Sequence, residues 1–248
     1  MVDNPLADYK WCGVSIILTD GRQISADPEG NAMIYVPADK KIYVLQGGCP
    51  NPHNLKFTRP DGLEYLVMHE MTQGGYDGLD LNENSLVIDI GAHVGIVSMT
   101  LALQYGCHVE AYEPAPGNYK RLVANIRTNG LRGQVIPHNL AVTSDGREVF
   151  IHGDMSVNSG SMSIYKGGLG TPVASTTLAD IIGERMVDLL KIDCEGAEHE
   201  IFEDLRPLAH VRMVRGEFHD LTGENFHATP EPLIERVRAV VPNIQVTT

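Results

Sequence analysis

Four side chains late in the chain are of the types that proton transfer requires. Asp193 and Glu195 follow an apolar run at residues 187–192, and Glu217 and His219 close a second run at residues 211–218. Carboxylates and an imidazole suit a reaction in which a hydroxyl must lose its proton while its oxygen is held in line with an electrophile. On this reading His219 or Asp193 accepts the proton, and Glu195 or Glu217 orients that base or the substrate. An ordinary histidine titrates near neutrality, which fits a base. Each residue also has a structural alternative. Asp193 could cap the helix that follows or hold the Glu195-Gly196 turn, and His219 could be a satisfied core or surface histidine. Asp193, Glu195, Glu217 and His219 could together hold Mg or Mn. No tight ligand spacing compels that, and no metal is expected. Lys191 reads as a strand-edge or structural partner, and His199 as a solvated helix residue.

A second group lies upstream. Leu86-Val87-Ile88-Asp89-Ile90 is an apolar run of the kind buried on both faces, and it ends in Gly91-Ala92-His93-Val94-Gly95. Gly91 and Gly95 permit a tight turn and a close approach of backbone to ligand. The helix after the turn aims its N–H groups and positive dipole end at the same place, which suits a carboxylate. Asp89 can bond a turn N–H or meet a cofactor ammonium. Glu113 lies 24 residues further on, at the end of the next strand. That is where dinucleotide folds keep an acid for the ribose hydroxyls. A dinucleotide fingerprint needs a third glycine, and here Ile96 stands in its place. With no pyrophosphate cradle visible, the site suits S-adenosylmethionine (SAM) better than NAD.

These residues need a sheet with helices on both faces. From residue 84 onward, strand and helix patterns alternate. Strands are expected at 86–90, 109–113, 134–138, 187–192, 211–218 and 244–247. Helices are expected at 96–105, from about 116 to a stop at Asn129-Gly130, and at 176–182, 197–205 and 230–240. Residues 139–170 read as a strand or hairpin excursion with Gly/Ser-rich loops. Alternation of this kind implies parallel pairing in a doubly wound, Rossmann-like α/β sheet. The first 82 residues are different. Runs at 14–18, 33–36 and 41–45, separated by Asp20-Gly21, Asp27-Pro28-Glu29-Gly30 and Pro37-Ala38-Asp39, read as hairpins. Two units are therefore expected: a β-rich subdomain or lid at 1–82 and a catalytic domain at 83–248.

Charge narrows the partners. The net charge is −13, with −5 in residues 1–82 and −8 in the rest. Neither part offers a basic footprint for phosphate backbones, so nucleic acid and anionic membranes are not expected partners. No apolar run approaches the ~20 residues that cross a bilayer. No basic-then-apolar leader opens the chain, and a cytoplasmic location is the expectation. Cys12, Cys49, Cys107 and Cys194 form no C-x-x-C pair and suggest neither a disulfide framework nor a zinc knuckle. Cys49 and His53 sit in a Pro/Gly turn.

Several segments together resemble the FkbM-type SAM-dependent methyltransferases. Residues 87–95 resemble that family's first motif. Ala111-Tyr112-Glu113-Pro114, with Asn118 and Asn125, resembles its second-strand segment. Asn139-Leu140-Ala141-Val142, with Gly146, resembles a third block. Thr177-Leu178-Ala179-Asp180 and the run Asp188-Leu189-Leu190-Lys191-Ile192-Asp193-Cys194-Glu195-Gly196-Ala197-Glu198 resemble its signature, the most specific part. Glu217-Phe218-His219 resembles its acid-x-His ending. The likeness covers residues 70–219. It implies SAM as cofactor, with Asp89, Gly91, Ala92, His93, Gly95, Glu113, Pro114, Asn118, Asn139, Ala141 and Asp193 around it. It also implies that the segment containing Glu70 and Tyr76 folds over the cofactor. The activity implied is O-methylation of a hydroxyl on a sugar or natural-product-like small molecule. The alternatives are a peptide or amide N-methyltransferase and an idle SAM-binding or scaffold protein. The acceptor could thus be a small molecule, a glycan or a peptide, and the oligomeric state is not read. Two departures stand out. His93 occupies a place where Asn or small residues are common, and the usual closing antiparallel hairpin is incomplete. Residues 1–68 lie outside the likeness.

Overall fold

The computed structural model describes residues 53, 55–57, 76–152, 170–221 and 228–248, together with four short strands between residues 16 and 45. Those strands are β1 (Ile16–Ile17), β2 (Gln23–Ala26), β3 (Ala32–Val36) and β4 (Lys41–Leu45). They pair antiparallel in sequence order. The hairpin signals account for this meander. β2 escapes the sequence pattern because Gln23-Ile24-Ser25-Ala26 carries one β-branched residue.

The main sheet has six strands: β5 (Leu86–Ile90), β6 (His108–Tyr112), β7 (Val135–His138), β12 (Leu189–Ile192), β13 (Val214–Glu217) and β14 (Ile244–Thr247). Their order is β14-β13-β12-β5-β6-β7, and every pairing is parallel. This is the doubly wound Rossmann-like order, with its switch point between β5 and β12. β14 runs parallel to β13, so the described edge is not an antiparallel hairpin.

Alternation along the strands builds a core on each face. Val87 and Leu189 point to one side. There they pack with α1 (Ile96–Tyr105) and α2 (Pro116–Thr128) through Met99, Leu101, Leu122 and Ile126. Ile88 and Leu190 point to the other side. They meet Ile181 of α3 (Leu178–Ile182), Ile201 of α4 (Glu198–Ile201), and Leu233 and Val237 of α5 (Pro230–Val240). Burying both faces is why β5 and β12 read as nearly unbroken apolar runs. Ile96 is 2% exposed and part of this core, which explains why no third glycine stands there.

The excursion after β7 forms β8 (Ala141–Thr143), β9 (Val149–Ile151), β10 (Thr171–Val173) and β11 (Ser175–Thr177). β8 pairs parallel with β11, and β9 pairs antiparallel with β10. Several expected elements come out shorter, among them β12, which starts at Leu189. α3 starts at Leu178 because Thr177 caps it, its hydroxyl accepting from Asp180 N at 3.1 Å. The helix expected over 197–205 is only α4, and a 3-10 turn at Arg206–His210 follows, opened by Pro207. The fifth parallel strand narrows to Val214–Glu217, with Val211 making an isolated bridge to Val187. Among the described residues, no helix is long and apolar enough to cross a membrane.

Candidate active site

The turn from β5 to α1 sits against the end of β12. Gly91 has φ +78°, and a Cβ there would lie 1.8 Å from the Asp193 carbonyl oxygen. Glycine is therefore required by the neighbouring strand end as well as by the turn. Gly91 N and Ala92 N both donate to Tyr112 O at 3.0 Å, which ties the turn to β6. His93 adopts φ +52°, an unfavourable conformation for a side chain larger than glycine. Its N–H donates to Glu113 Oε2 at 2.8 Å. Gly95 is the N-cap of α1; no side chain caps it, and the first turn carries no acid.

Asp89 was expected to reach a turn N–H or the cofactor, and the structure places it elsewhere. It is fully buried, and its Oδ2 accepts from Ser98 Oγ at 2.5 Å. Its Oδ1 pairs with Lys191 Nζ at 3.1 Å. Lys191 is in turn a structural partner and not a strand-edge residue. It is 3% exposed on a central strand, donates to Gly91 O at 2.7 Å and lies 3.9 Å from Asp193. Burial opposes the Lys191 charge, but Asp89 and Asp193 outweigh it and hold the ammonium above the usual lysine value. Tyr76 also lies within electrostatic reach of Lys191, Asp89 and Asp193, and burial drives its phenol up. Its carbonyl accepts from Tyr105 OH at 2.8 Å. Glu70 lies outside the described residues.

Glu113 directly follows β6 and is 4% exposed. Burial pushes its carboxyl up to about 7, against bonds from Ala115 N at 2.9 Å, from His93 N and from Asn118. Asn118 is buried on the first turn of α2. Asn139 Nδ2 donates to the carbonyls of Glu113 and Pro114 at 2.8 and 2.9 Å, and so sets the loop after β6. Ala141 is buried in β8. Asn125 Nδ2 holds Val94 O at 2.9 Å from below the turn.

This set fits a cofactor with an adenosyl diol and an amino-acid end. The uncapped start of α1 suits a carboxylate. Glu113 spends three of its lone-pair positions on His93 N, Ala115 N and Asn118, which leaves room for one diol hydroxyl.

Next to this turn, Asp193, Glu217 and His219 converge. One ligand-type atom from each lies within 4.8 Å of the other two. The Asp193 and Glu217 side chains are 41% and 47% exposed, so both reach solvent at the carboxyl ends of β12 and β13. Asp193 caps nothing, because α4 starts later and its N-cap is Ala197. Glu195 takes φ +56° in the turn that leads to α4, and its charge acts on His219. Burial raises the Glu217 carboxyl, and Asp193 adds to the shift.

His219 departs from expectation in two ways. Burial alone would lower its pKa, but the hydrogen bond and charge of Glu198, with help from Asp193 and Glu195, push it up to about 9. Its contact with the Glu198 carboxylate thus favours the charged ring. Its orienting partner is also neither Glu195 nor Glu217. Nδ1 lies 3.1 Å from Glu198 Oε1, while Nε2 faces Glu217 Oε1 at 3.8 Å. Glu198 is fully buried in α4, and its Oε1 also accepts from Cys194 N at 2.8 Å. Burial opposes its charge, but His219 and the Cys194 N–H hold its carboxyl below the usual value. His199 is half-buried, with Nε2 2.8 Å from His219 O, and is not a solvated residue. Two carboxylates and an imidazole brought this close suit proton transfer from a bound hydroxyl. The sequence signal for Glu198 was the last letter of the signature run.

Strand order, glycine turn and strand-end acid define a Rossmann-like cofactor-binding domain. The chain belongs to the methyltransferase FkbM domain family, whose profile matches residues 89–242. Family membership makes SAM the cofactor. No curated protein sequence matches the chain. Among solved structures, the chain is similar to the N-terminal domain of human METTL16 in complex with SAH. Identity there is 15% over 84% of this chain and 78% of that one, with a TM-score of 0.42. It is also similar to the StiE O-MT, at 16% identity over 62% and 44%, with a TM-score of 0.38. A third is a putative transferase from Pyrococcus horikoshii, at 16% over 70% and 43%, with a TM-score of 0.31. The chain thus spans less than half the length of the last two. The family match, not these likenesses, carries the class.

Proposed function

We propose that the protein is a SAM-dependent O-methyltransferase acting on a hydroxyl of a sugar or natural-product-like small molecule. The observation that carries this reading is the convergence of Asp193, Glu217 and His219 beside the Gly91 turn. When bound, SAM supplies a methyl group activated by its sulfonium. The uncapped N–H groups at the start of α1 would hold its carboxylate, with Gly91, Ala92, His93 and Gly95 shaping the turn beneath it, and Glu113 would take the ribose. Pro114, Asn118, Asn139 and Ala141 shape the adjoining wall, and Tyr76 covers it. Asp193 and Glu217 accept hydrogen bonds from the acceptor and fix its oxygen. His219 Nε2, in the neutral ring, takes the hydroxyl proton. A cation bound in the same crevice opposes the imidazolium and brings that neutral form within reach of physiological pH. Residues 1–82 form the β-rich front and 83–248 the catalytic domain.

The test is formation of S-adenosylhomocysteine with hydroxyl and amide acceptors presented in parallel. Turnover on hydroxyls supports the reading. Transfer to amides alone replaces it with N-methylation. SAM binding without turnover on either replaces it with a cofactor-binding scaffold.

A further inference from the structure

We propose that Glu198 is a positioning residue: it fixes the His219 ring with Nδ1–H directed inward, so that Nε2 carries the lone pair offered to the crevice. The inference deepens the methyl-transfer reading and rests on it only for its kinetic arm. Three contacts define the device. Glu198 Oε1 lies 3.1 Å from His219 Nδ1. The same oxygen accepts from Cys194 N at 2.8 Å, which locks the carboxylate to the loop carrying Asp193 and Glu195. From behind, His199 Nε2 lies 2.8 Å from His219 O and fixes the backbone of the residue being aimed. Glu198 is fully buried while the His219 side chain is 22% exposed, so the pair has an inner, ligand-free end and an outer, reactive end.

The chemistry is that of a base steered by a buried acid. A neutral imidazole donates from one nitrogen and accepts at the other, and the donor bond decides which. With Nδ1–H committed to Glu198, the acceptor's proton moves to Nε2 and the resulting imidazolium is balanced by the Glu198 carboxylate. Among the described residues, the charged or titratable groups around the ring are Glu198 from α4, Asp193 and Glu195 from the loop before it, and Glu217 from the ring's own segment. Of these, only Glu198 touches Nδ1.

Nitrogen-15 NMR of histidines in the full chain tests this, with His219→Gln identifying the signal. The expected result for the unaltered protein is an Nδ1–H neutral tautomer and a titration midpoint well above 6.5. In Glu198→Gln the midpoint should fall by at least tenfold in proton affinity, and Glu198→Asp should lie between. The ascending limb of kcat should move to lower pH by the same factor, with KM for SAM unchanged. A purely structural Glu198 would change stability without moving the midpoint. An Nε2–H tautomer in the unaltered protein, or an unmoved midpoint in Glu198→Gln, overturns the proposal. If Glu198→Gln does not fold, the tautomer of the unaltered protein still decides it. Absence of turnover with the titration as expected would refute the methyl-transfer reading and leave the pairing standing.

Discussion

Lys191→Met removes the ammonium that pairs with Asp89 and should be the most damaging single conservative change in the sheet. Lys191 and Asp89 are 4% and 0% exposed at the side chain and sit on adjacent central strands in direct register. Methionine keeps the length and apolar bulk of the lysine stem, so packing is held nearly constant. Asp89 is left ionised without its cation, or it must take up a proton. Breaking a buried pair from one side costs ~3–5 kcal/mol. Protonating an ordinary aspartate at pH 7 costs about 4 kcal/mol, so the two routes give the same scale. For a chain of this length each kcal/mol moves Tm by roughly 2–4 °C, which gives a fall of about 6–20 °C. Gly91 O also loses its donor, so SAM affinity should drop in parallel. Differential scanning calorimetry and SAM titration of Lys191→Met, Asp89→Asn and the double variant complete the cycle. The double variant should recover part of the loss because no buried charge is stranded. A Lys191→Met protein melting within 2 °C of the parent, a loss far below that of a broken buried pair, would refute the argument. So would a double variant no better than Lys191→Met alone.

Three further outcomes are expected. His219→Ala should lower kcat by a factor of ~10²–10⁴ with SAM affinity unchanged by calorimetry, the signature of a lost base; near-normal turnover would remove His219 from the chemistry. Glu113→Ala should weaken SAM binding by roughly 10-fold or more, since bonds to a charged group contribute ~1.5–3 kcal/mol; an unchanged Kd would refute the ribose assignment. Stability should fall as pH rises from about 6.5 towards 9, because the folded value of His219 is raised above its unfolded one and the gain is complete only below the latter. After discount for partial exposure the fall is ~1–2 kcal/mol, and denaturant melts of Glu198→Gln should show it flattened.

The fold was legible wherever local pattern and tertiary burial agree. β5, α1 and α5 fall at the expected residues because apolar runs, helical spacing and a glycine or proline mark their limits. α4 was overextended because Ile201, Phe202 and Leu205 continue a helical spacing that a turn at residues 202–205 interrupts. The functional side chains were harder to read for a different reason. A lysine in a strand reads as an edge residue, and Lys191 is central only because Gly91 and Asp89, about a hundred residues away, take its charge. An acid in the first turn of a helix reads as solvated, and Glu198 is buried only because His219, 21 residues on, covers it. Periodicity reports which face is apolar. It says nothing of a buried charge whose partner lies on another element.

Burial then sorts the acids of the site by task. Asp89, Glu113 and Glu198 are each at most 4% exposed, and each is bonded within the protein: Asp89 to Ser98 and Lys191, Glu113 to the backbone of His93 and Ala115, and Glu198, through Oε1 alone, to Cys194 N and His219. Asp193 and Glu217 stay near half exposure at the carboxyl ends of β12 and β13. In such sheets that is where ligands lie. The buried acids therefore set the positions of the turn, the lysine and the histidine, and Asp193 and Glu217 are left to meet the acceptor. On this division a change at Asp89 or Glu198 should appear first in stability or in a titration midpoint, and one at Glu113 also in SAM affinity. A change at Asp193 or Glu217 should appear in kcat and acceptor KM with the fold intact.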